Sequence, residues 1–524
     1  MFEKQRLQDI YCAAKDAFDE YYYDLRTTNN EKLFLTDALK CEIYANAISL
    51  CLELYFELCE SPGLETSCRS ILEALILLRM IDSDELDDEQ ISNFKHQSAL
   101  LFYGNLFETA EDEKDRILDE KLDKLMREKI QWIIEDYDKA MDAYRAKYGA
   151  KMDEIAARHA IREGLFFATK NASKRKNFTR LFKNHMKDID ETGALYQRIS
   201  FFAHPWFLDN MEDFSIVREE RLKDAGLCLN LVEEILNDRL TSGKSFSKGI
   251  DEEVDEAKEY VLRSQDVENI CSRLCDLELD ADDPSPFAAF CLAYMRDTLT
   301  EMNILIGLGF SEIALSKFQT ICEFWSMYSI IKNAGDSLTT FALQKAFDYS
   351  TRIQLHKLGS KVGTKDVSVL QEAFEDAFKS PTMSFEEYKE SVENGEATEK
   401  TSLSFLGETW KGKSKSFIGL VQLAIDGLFP IAHADQKKEF AMAYLFCIDV
   451  HHATGFCYTR PRDSWALLSH IALAGIYELL FYHAFALALP PNNMSEGKRL
   501  SDRLCLLLEA ERREIKQLEL KYPE

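Results

Sequence analysis

The sequence predicts an all-α protein of two tandem helical-bundle domains that are related by internal duplication. Its 524 residues exceed one compact core and fit two domains of roughly 250 residues each. Only 10 prolines and 21 glycines interrupt the chain, which favours long helices. The third observation is a polar pattern that occurs twice, about 250 residues apart.

The repeated pattern is a glutamate followed, much later in the chain, by a tyrosine and a histidine eight residues apart. In the first half Glu73 lies 131 residues before His204. In the second half Glu323 lies 129 residues before His452. The matching tyrosines are Tyr196 and Tyr444. Repetition of this kind indicates how the protein was built and which polar positions are equivalent.

A short polar stretch divides the two copies of the pattern. Residues 241–249 are rich in serine, glycine and lysine and fall where the repeat predicts a boundary. We therefore expect an N-terminal domain at 1–242, a linker at 243–250 and a C-terminal domain at 251–524. The sequence leaves open whether the halves pack on each other or against a second chain, as a homodimer or with a partner protein.

Apolar residues at three-to-four spacing predict the helices in order. Those of the first half are expected near 11–22, 33–58, 69–73, 88–110, 112–148, 150–162, 174–187, 189–204 and 214–240. The Ser-Pro-Gly at 61–63 ends the second of them. After an introductory helix and a break at 280–286, those of the second half are expected near 287–308, 311–332, 336–358, 366–379, 384–394, 414–428, 434–452, 462–489 and 495–521.

Composition and motifs disfavour several classes of function. The net charge of −28, from 63 basic and 91 acidic residues, argues against general binding to a polyanion. The 13 cysteines include no Cys-x-x-Cys pair, and no His-Glu-x-x-His occurs, so a metal site is not predicted. No glycine-rich phosphate loop follows a strand. We expect no cofactor.

Localisation is predicted from the N-terminus, the cysteines and one apolar segment. The N-terminus opens a charged amphipathic stretch without the apolar region of a signal peptide. Scattered free thiols suggest a reducing compartment. The apolar segment 465–489 carries His470, Glu478 and His483, which favours a buried core helix over a membrane span. The sequence therefore predicts a cytoplasmic protein with no membrane partner.

The late helix of the first half places three polar residues in one stripe. Tyr196, Ser200 and His204 stand at i, i+4 and i+8. Pro205 follows the histidine directly, so the helix is expected to end there. The negative end of the helix dipole favours a protonated histidine, which can donate a proton or bind an anion.

A structural role is the alternative for the repeated residues. In this alternative His204 faces Glu73 and His452 faces Glu323. Each would be a buried, hydrogen-bonded pair that determines how two helices pack. Tyr444 and His452 repeat the stripe of the first half with an apolar residue between them. Because both halves keep these positions, a shared packing role explains both without chemistry.

Arg198 distinguishes the first copy from the second. Arg198 and His204 form an Arg-x5-His arrangement, and their directions on an ideal helix differ by about 120°, so they flank one surface. There His204 would transfer a proton at a ribose 2′-hydroxyl and Arg198 would bind the phosphate, with Ser200 and Tyr196 orienting them. This is metal-independent RNA cleavage. The second copy has Phe446 in place of Arg198 and is expected to be inactive.

These motifs resemble those of a bacterial helical family of unknown function that is related to the HEPN superfamily. The resemblance rests on the Tyr-x3-Ser-x3-His helix, the Arg-x3-Glu that begins at Arg69, the Trp-Lys-Gly-Lys-Ser at 410–414 and the Arg-x5-His spacing. It implies Arg198 and His204 as a catalytic pair with Ser200 as an accessory. It also implies sites built across a dimer interface, so that the halves would form a pseudo-dimer, and a toxin or antiphage-defence role.

A basic island precedes the late helix of the first half. It contains seven cationic residues and no acidic one: Lys170, Lys174, Arg175, Lys176, Arg180, Lys183 and Lys187. Phe178, Phe182 and His185 are interleaved with them. The island would steer RNA phosphates toward the Arg198 helix, or it is a solvated helix face that balances an acidic surface.

Two functions follow from the sequence. The first is an HEPN-like endoribonuclease, or a toxin or antiphage-defence effector that acts on RNA. The second is a non-catalytic helical scaffold or sensor that binds a partner protein or ligand. They differ in whether Arg198 and His204 face an open cleft or are buried.

Overall fold

The computed structural model describes residues 2–28, 30–59, 62–84, 178–189, 193–203, 206–207, 211–241, 248–280, 286–332, 351, 462–487 and 493–521. All regular structure in these ranges is helical, which confirms the all-α class. The helices of the first half are α1 (Lys4–Thr27), α2 (Glu31–Tyr55), α3 (Gly63–Asp82), α4 (Phe178–His185), α5 (Ala194–Phe202) and α6 (Met211–Thr241). Those of the second half are α7 (Ile250–Glu256), α8 (Lys258–Leu279), α9 (Pro286–Gly307), α10 (Ser311–Lys332), α11 (Arg462–Leu487) and α12 (Met494–Lys521).

Helices α2, α6, α9, α10, α11 and α12 match the predicted ones to within three residues. Helices α1 and α3 extend well beyond the predicted 11–22 and 69–73 at both ends. The introductory helix is an exception, since Ala257 separates it into α7 and α8. Eight predicted helices, at 88–110, 112–148, 150–162, 336–358, 366–379, 384–394, 414–428 and 434–452, lie outside the described residues, apart from the helical residue 351.

The predicted helix at 189–204 is shorter than expected. Gly193, just before α5, has a φ of 70°, a left-handed conformation that glycine adopts at little cost. At the other end Ala203 is the cap, and its N–H bonds to the Ile199 carbonyl. The predicted bounds were therefore wrong at both ends, because a left-handed glycine and the cap at Ala203 limit the helix. His204 lies outside the described residues.

Helix α3 lies at the centre of the first half. Its apolar residues and its serines and threonines are buried on nearly every side, from Gly63 to Ile81. It packs against α2, α4, α5 and α6, and against α10 of the second half. The charged side chains of Glu65, Arg69 and Glu73 therefore meet other helices rather than solvent.

The two halves pack on each other. Helices α2 and α3 contact α9 and α10, and one cluster of buried apolar side chains runs through both halves. Most of the predicted linker lies outside the described residues, and Ile250 at its end is buried as the first residue of α7. The division into two domains and their origin by duplication stay predictions.

Helix α11 is the most apolar helix described. Its segment Trp465–Leu487 is long and apolar enough to cross a membrane, by length and composition only, and 61% of an 18-residue stretch within it is buried by the rest of the protein. His470 lies 2.6 Å from a Glu511 carboxylate oxygen, and His483 lies 3.0 Å from one of Glu278. Buried polar partners of this kind favour a core helix.

Candidate functional site

Tyr196 and Glu73, two of the repeated residues, meet in the core between α5 and α3. The Tyr196 hydroxyl donates to Glu73 Oε1 at 2.6 Å. Arg69 Nε donates to the same oxygen at 2.8 Å from one turn earlier on α3. Glu73 is completely buried, and Arg69 supplies a countercharge that offsets the free-energy cost of burying its carboxylate.

The environment of Tyr196 suits packing rather than proton transfer. Burial first, and the nearby Glu73 carboxylate second, raise the pKa of the Tyr196 hydroxyl well above its usual value. Its ring stacks on Phe182 of α4 with a centroid distance of 5.9 Å. The hydroxyl therefore stays a hydrogen-bond donor at neutral pH, and the predicted orienting role toward a substrate is replaced by an internal contact.

The second half repeats part of this arrangement. Gln319 Nε2 donates to Glu323 Oε1 at 2.9 Å, one turn apart on α10, and Glu323 is buried. A neutral glutamine thus stands where the first half has Arg69. Tyr444 and His452, the other predicted members, lie outside the described residues.

Tyr196→Phe is expected to lower the free energy of unfolding by about 1–3 kcal/mol. The change keeps the buried ring and removes the donor to Glu73, which leaves a buried carboxylate with one partner fewer. Urea unfolding measures the effect, and Tyr23→Phe, at a tyrosine that is 70% exposed, is the matched control. Equal effects of the two substitutions would contradict a structural role for this hydroxyl.

Arg198 forms a buried bidentate ion pair with Asp224 of α6. Arg198 Nε donates to Asp224 Oδ2 at 2.9 Å, and Nη2 donates to Oδ1 at 2.6 Å. Both residues are buried, with 9% and 3% of their surface exposed. Burial raises the pKa of the Asp224 carboxyl to about 6, although the Arg198 hydrogen bonds and charge oppose that shift.

A second ion pair of the same kind lies one turn away on α6. Arg221 Nε and Nη2 donate to the two carboxylate oxygens of Glu65 on α3, at 2.5 and 2.8 Å. The Arg221 guanidinium also lies 5.6 Å from the centre of the Trp206 ring. Two buried arginine forks therefore fasten α6 to its neighbours, one through α5 and one through α3.

The predicted catalytic residues that the structure describes do not converge on one site. Tyr196 is directed to Glu73 on α3, whereas Arg198 is directed to Asp224 on α6. Ser200 is half-buried on α5, and His204 lies outside the described residues. The Arg198 guanidinium is therefore not available to bind a phosphate, because the buried Asp224 carboxylate already accepts hydrogen bonds from it.

The basic island is only partly described. Lys183 and Lys187 are exposed, whereas Phe182 is fully buried against the core, so this aromatic ring is not displayed to a nucleic acid. Arg180 lies on α4. The remaining members, Lys170, Lys174, Arg175 and Lys176, lie outside the described residues.

The structure contains a buried polar cluster that the sequence reasoning missed. Lys317 of α10 is completely buried, and its Nζ donates to Glu53 Oε1 at 2.5 Å, Ser67 Oγ at 2.6 Å and the Gly63 carbonyl at 2.8 Å. A second carboxylate, Glu301 of α9, lies 3.2 Å from Nζ. Four helices from both halves thus converge on one ammonium group.

The surroundings of Glu301 in this cluster disfavour its ionised form. Burial first, and the Glu53 charge second, raise the pKa of Glu301 well above its usual value, and Ser49 Oγ donates to Glu301 Oε1 at 2.6 Å. Burial alone would lower the pKa of Lys317, but the two glutamates more than reverse this. The cluster therefore favours a charged Lys317 and the protonated form of the Glu301 carboxyl.

A sequence signal for this cluster existed. Lys317 lies between Ala314 and Ile321 at three and four residues, which places a lysine within an apolar stripe of a helix. A lysine in such a position is buried only when it is paired. The two acidic partners lie 264 and 16 residues away, so spacing alone does not identify them.

The comparisons with known proteins provide no relative for this chain. No protein-family model, no curated protein and no solved structure matches it.

Proposed function

We propose that this protein is a non-catalytic helical scaffold that binds a partner, and that it acts in the cytoplasm. The observation that supports the proposal is the buried Arg198–Asp224 ion pair. A cation that is to bind a substrate phosphate must be open to it, and this guanidinium is held by a carboxylate in the core. The Tyr196 hydroxyl likewise donates to Glu73, the same carboxylate that accepts from Arg69.

An RNA-cleavage assay tests the proposal directly. The purified protein, His204→Ala and Arg198→Ala are each incubated with labelled single-stranded RNA in the presence of EDTA. We expect the RNA to stay intact with all three, because Arg198 is engaged by Asp224 and its loss affects folding rather than chemistry.

The opposite outcome has a clear signature. Cleavage by the wild-type protein that is lost in His204→Ala, while that variant keeps the wild-type unfolding midpoint, would overturn the scaffold proposal and establish the ribonuclease. Equal cleavage by all three proteins would indicate a contaminating nuclease and would support the scaffold. The unfolding midpoint separates lost chemistry from lost structure.

A further inference from the structure

Six buried residues form a polar cluster where the two halves of the chain meet. The Lys317 cluster consists of Ser49 and Glu53 of α2, Gly63 and Ser67 of α3, Glu301 of α9 and Lys317 of α10. Its hydrogen bonds cross between the halves in both directions. Lys317 of the second half donates to three groups of the first, and Ser49 of the first half donates to Glu301 of the second. The protonation of this cluster therefore bears on how firmly the halves are joined.

The cluster has fewer hydrogen-bond donors than its buried oxygens require. An ammonium group has three N–H donors, and those of Lys317 are directed to Glu53 Oε1, Ser67 Oγ and the Gly63 carbonyl. The Glu301 carboxylate is the fourth acceptor around Nζ and the most distant, at 3.2 Å. Glu53 Oε2 is buried and accepts no hydrogen bond from the described residues. One further donor is therefore needed.

A proton on Glu301 supplies that donor. The carboxyl groups of Glu301 and Glu53 lie within hydrogen-bond reach of each other, so a protonated Glu301 can donate to Glu53. Burial first, and the Glu53 charge second, also raise the pKa of Glu301 well above its usual value. Loss of the proton would add a negative charge to a completely buried cluster, which is costly without a further cation.

The charged groups that act on Glu301 come from two of the helices packed against α9. Helices α2, α8, α10 and α11 contact α9, and the charges that act on Glu301 are those of Glu53 on α2 and Lys317 on α10. Other buried titratable groups on these helices and on α9 have other partners: Glu42 with Asn46, Glu323 with Gln319, Arg263 and His470 with Glu511, His483 with Glu278, Tyr477 with Asn303, and Asp297 with Arg296. The ionisation of Glu301 is therefore governed by Lys317 and Glu53.

We propose that the Lys317 cluster is a proton-dependent switch between a closed and a locally open packing of the two halves. The halves close around the cluster with a proton on Glu301. When the proton leaves, two carboxylates face one ammonium group, and local opening lets water solvate them. Opening therefore releases one proton to the solvent. This inference goes beyond the scaffold function and does not depend on it.

The direction of the switch follows from the shift of the Glu301 carboxyl. Its pKa is raised in the closed form, whereas in the open form water restores the ordinary value of 4.5. The closed form is therefore favoured at low pH, and the open form gains as the pH rises toward the closed-state value. Within that interval each pH unit changes the ratio of open to closed protein by up to about tenfold.

Chemical labelling of Lys317 in the full-length protein measures the opening. The lysines are acetylated with an N-hydroxysuccinimide ester, and mass spectrometry gives the labelling rate of Lys317 divided by that of Lys258, an exposed lysine of α8. This division removes the effect of pH on the reactivity of an amine. Because Lys317 is completely buried, it reacts only while the cluster is open. We expect the ratio to rise at least about tenfold between pH 6 and pH 8.

Two substitutions show whether Glu301 is responsible. Glu301→Gln keeps the size of the protonated carboxyl and does not titrate, so its labelling ratio should change by less than about twofold over the same pH range. Glu268→Gln, at an exposed position of α8, is the matched control and should keep the wild-type rise. Urea unfolding establishes that both variants are folded.

Cys228 distinguishes local opening from global unfolding. Its thiol is completely buried within the first half, and we expect it to stay unlabelled by N-ethylmaleimide under the conditions in which Lys317 reacts. A Lys317 ratio that does not rise with pH, or no labelling of Lys317 at all, would overturn the proposal. An equal rise in Glu301→Gln, or labelling of Cys228 in step with Lys317, would overturn it as well. None of these measurements involves RNA, so the switch and the scaffold function fail separately.

Discussion

Lys317→Met is expected to lower the free energy of unfolding by about 3–5 kcal/mol. The ammonium group of Lys317 is completely buried and compensates the Glu53 carboxylate, which is itself completely buried. Methionine fills a similar volume but leaves that carboxylate without its countercharge. Urea unfolding at pH 7.5 measures the change. Because the cluster joins helices of both halves, we expect one cooperative transition at a lower urea concentration.

Two other variants give this prediction its control. Lys258→Met replaces an exposed lysine of α8 and should change the free energy of unfolding by less than about 0.5 kcal/mol. Glu301→Gln mimics the protonated carboxyl and should cost far less than Lys317→Met. A Lys317→Met effect no larger than that of Lys258→Met would show that this cluster contributes nothing.

The pH dependence of the Glu301 variant has a definite sign. Because the folded protein raises the pKa of Glu301, the contribution of this group to stability is complete below its ordinary value of 4.5. The contribution is lost as the pH rises through the folded-state value. Glu301→Gln removes this titration, so its stability should fall less than that of the wild type as the pH is raised from about 5 to 9.

Arg198→Met is expected to lower the free energy of unfolding by about 3–5 kcal/mol at pH 8, because it leaves the Asp224 carboxylate buried and unpaired. The cost should be smaller at pH 5 by about 1–2 kcal/mol. In the folded wild type the pKa of Asp224 is raised to about 6, so its contribution is complete below the ordinary value of 3.8 and is lost as the pH rises through 6. At pH 5 the Asp224 carboxyl is protonated to a larger extent than at pH 8, so loss of the Arg198 charge lowers the free energy of unfolding by less.

A double variant separates a structural arginine from a catalytic one. Arg198→Met combined with Asp224→Asn removes both charges and should recover most of the lost stability. Arg513→Met, on an exposed face of α12, is the control for loss of an arginine and should be close to neutral. If Asp224→Asn restored nothing to Arg198→Met, the ion pair would not be the reason for the loss.

The helical class and most helix positions could be predicted from the sequence, because they depend on local periodicity. The helix at 311–332 was predicted with the bounds of α10. The start of α5 was missed, because it depends on the left-handed conformation of Gly193 and not on the apolar pattern. Burial of Glu73 was expected only under the alternative structural role, in which His204 faces it, and Glu73 is indeed buried.

The partners of the charged residues could not be predicted, because they depend on how distant helices pack. Arg198 and Asp224 are 26 residues apart on two helices, and no spacing rule connects them. On the sequence alone Arg198 was grouped with His204, six residues later on the same predicted helix, because the two flank one surface. In the structure the buried Asp224 carboxylate binds the Arg198 guanidinium. The Arg-x5-His spacing therefore no longer indicates an arginine that binds phosphate.

The contact between Ser67 and Lys317 has a consequence for symmetry. Each lies six residues before the glutamate of its own half, Glu73 or Glu323, so the predicted duplication makes them equivalent positions, and their side chains meet at 2.6 Å. A two-fold axis brings equivalent positions together in this way, and in a pair of identical subunits the residues on the two sides would be the same. Two lysines would repel each other there, and two serines would leave the carboxylates without a cation. A single chain that carries both halves can place serine on one side and lysine on the other. We therefore expect that two copies of the second half alone would not form a stable dimer through this contact.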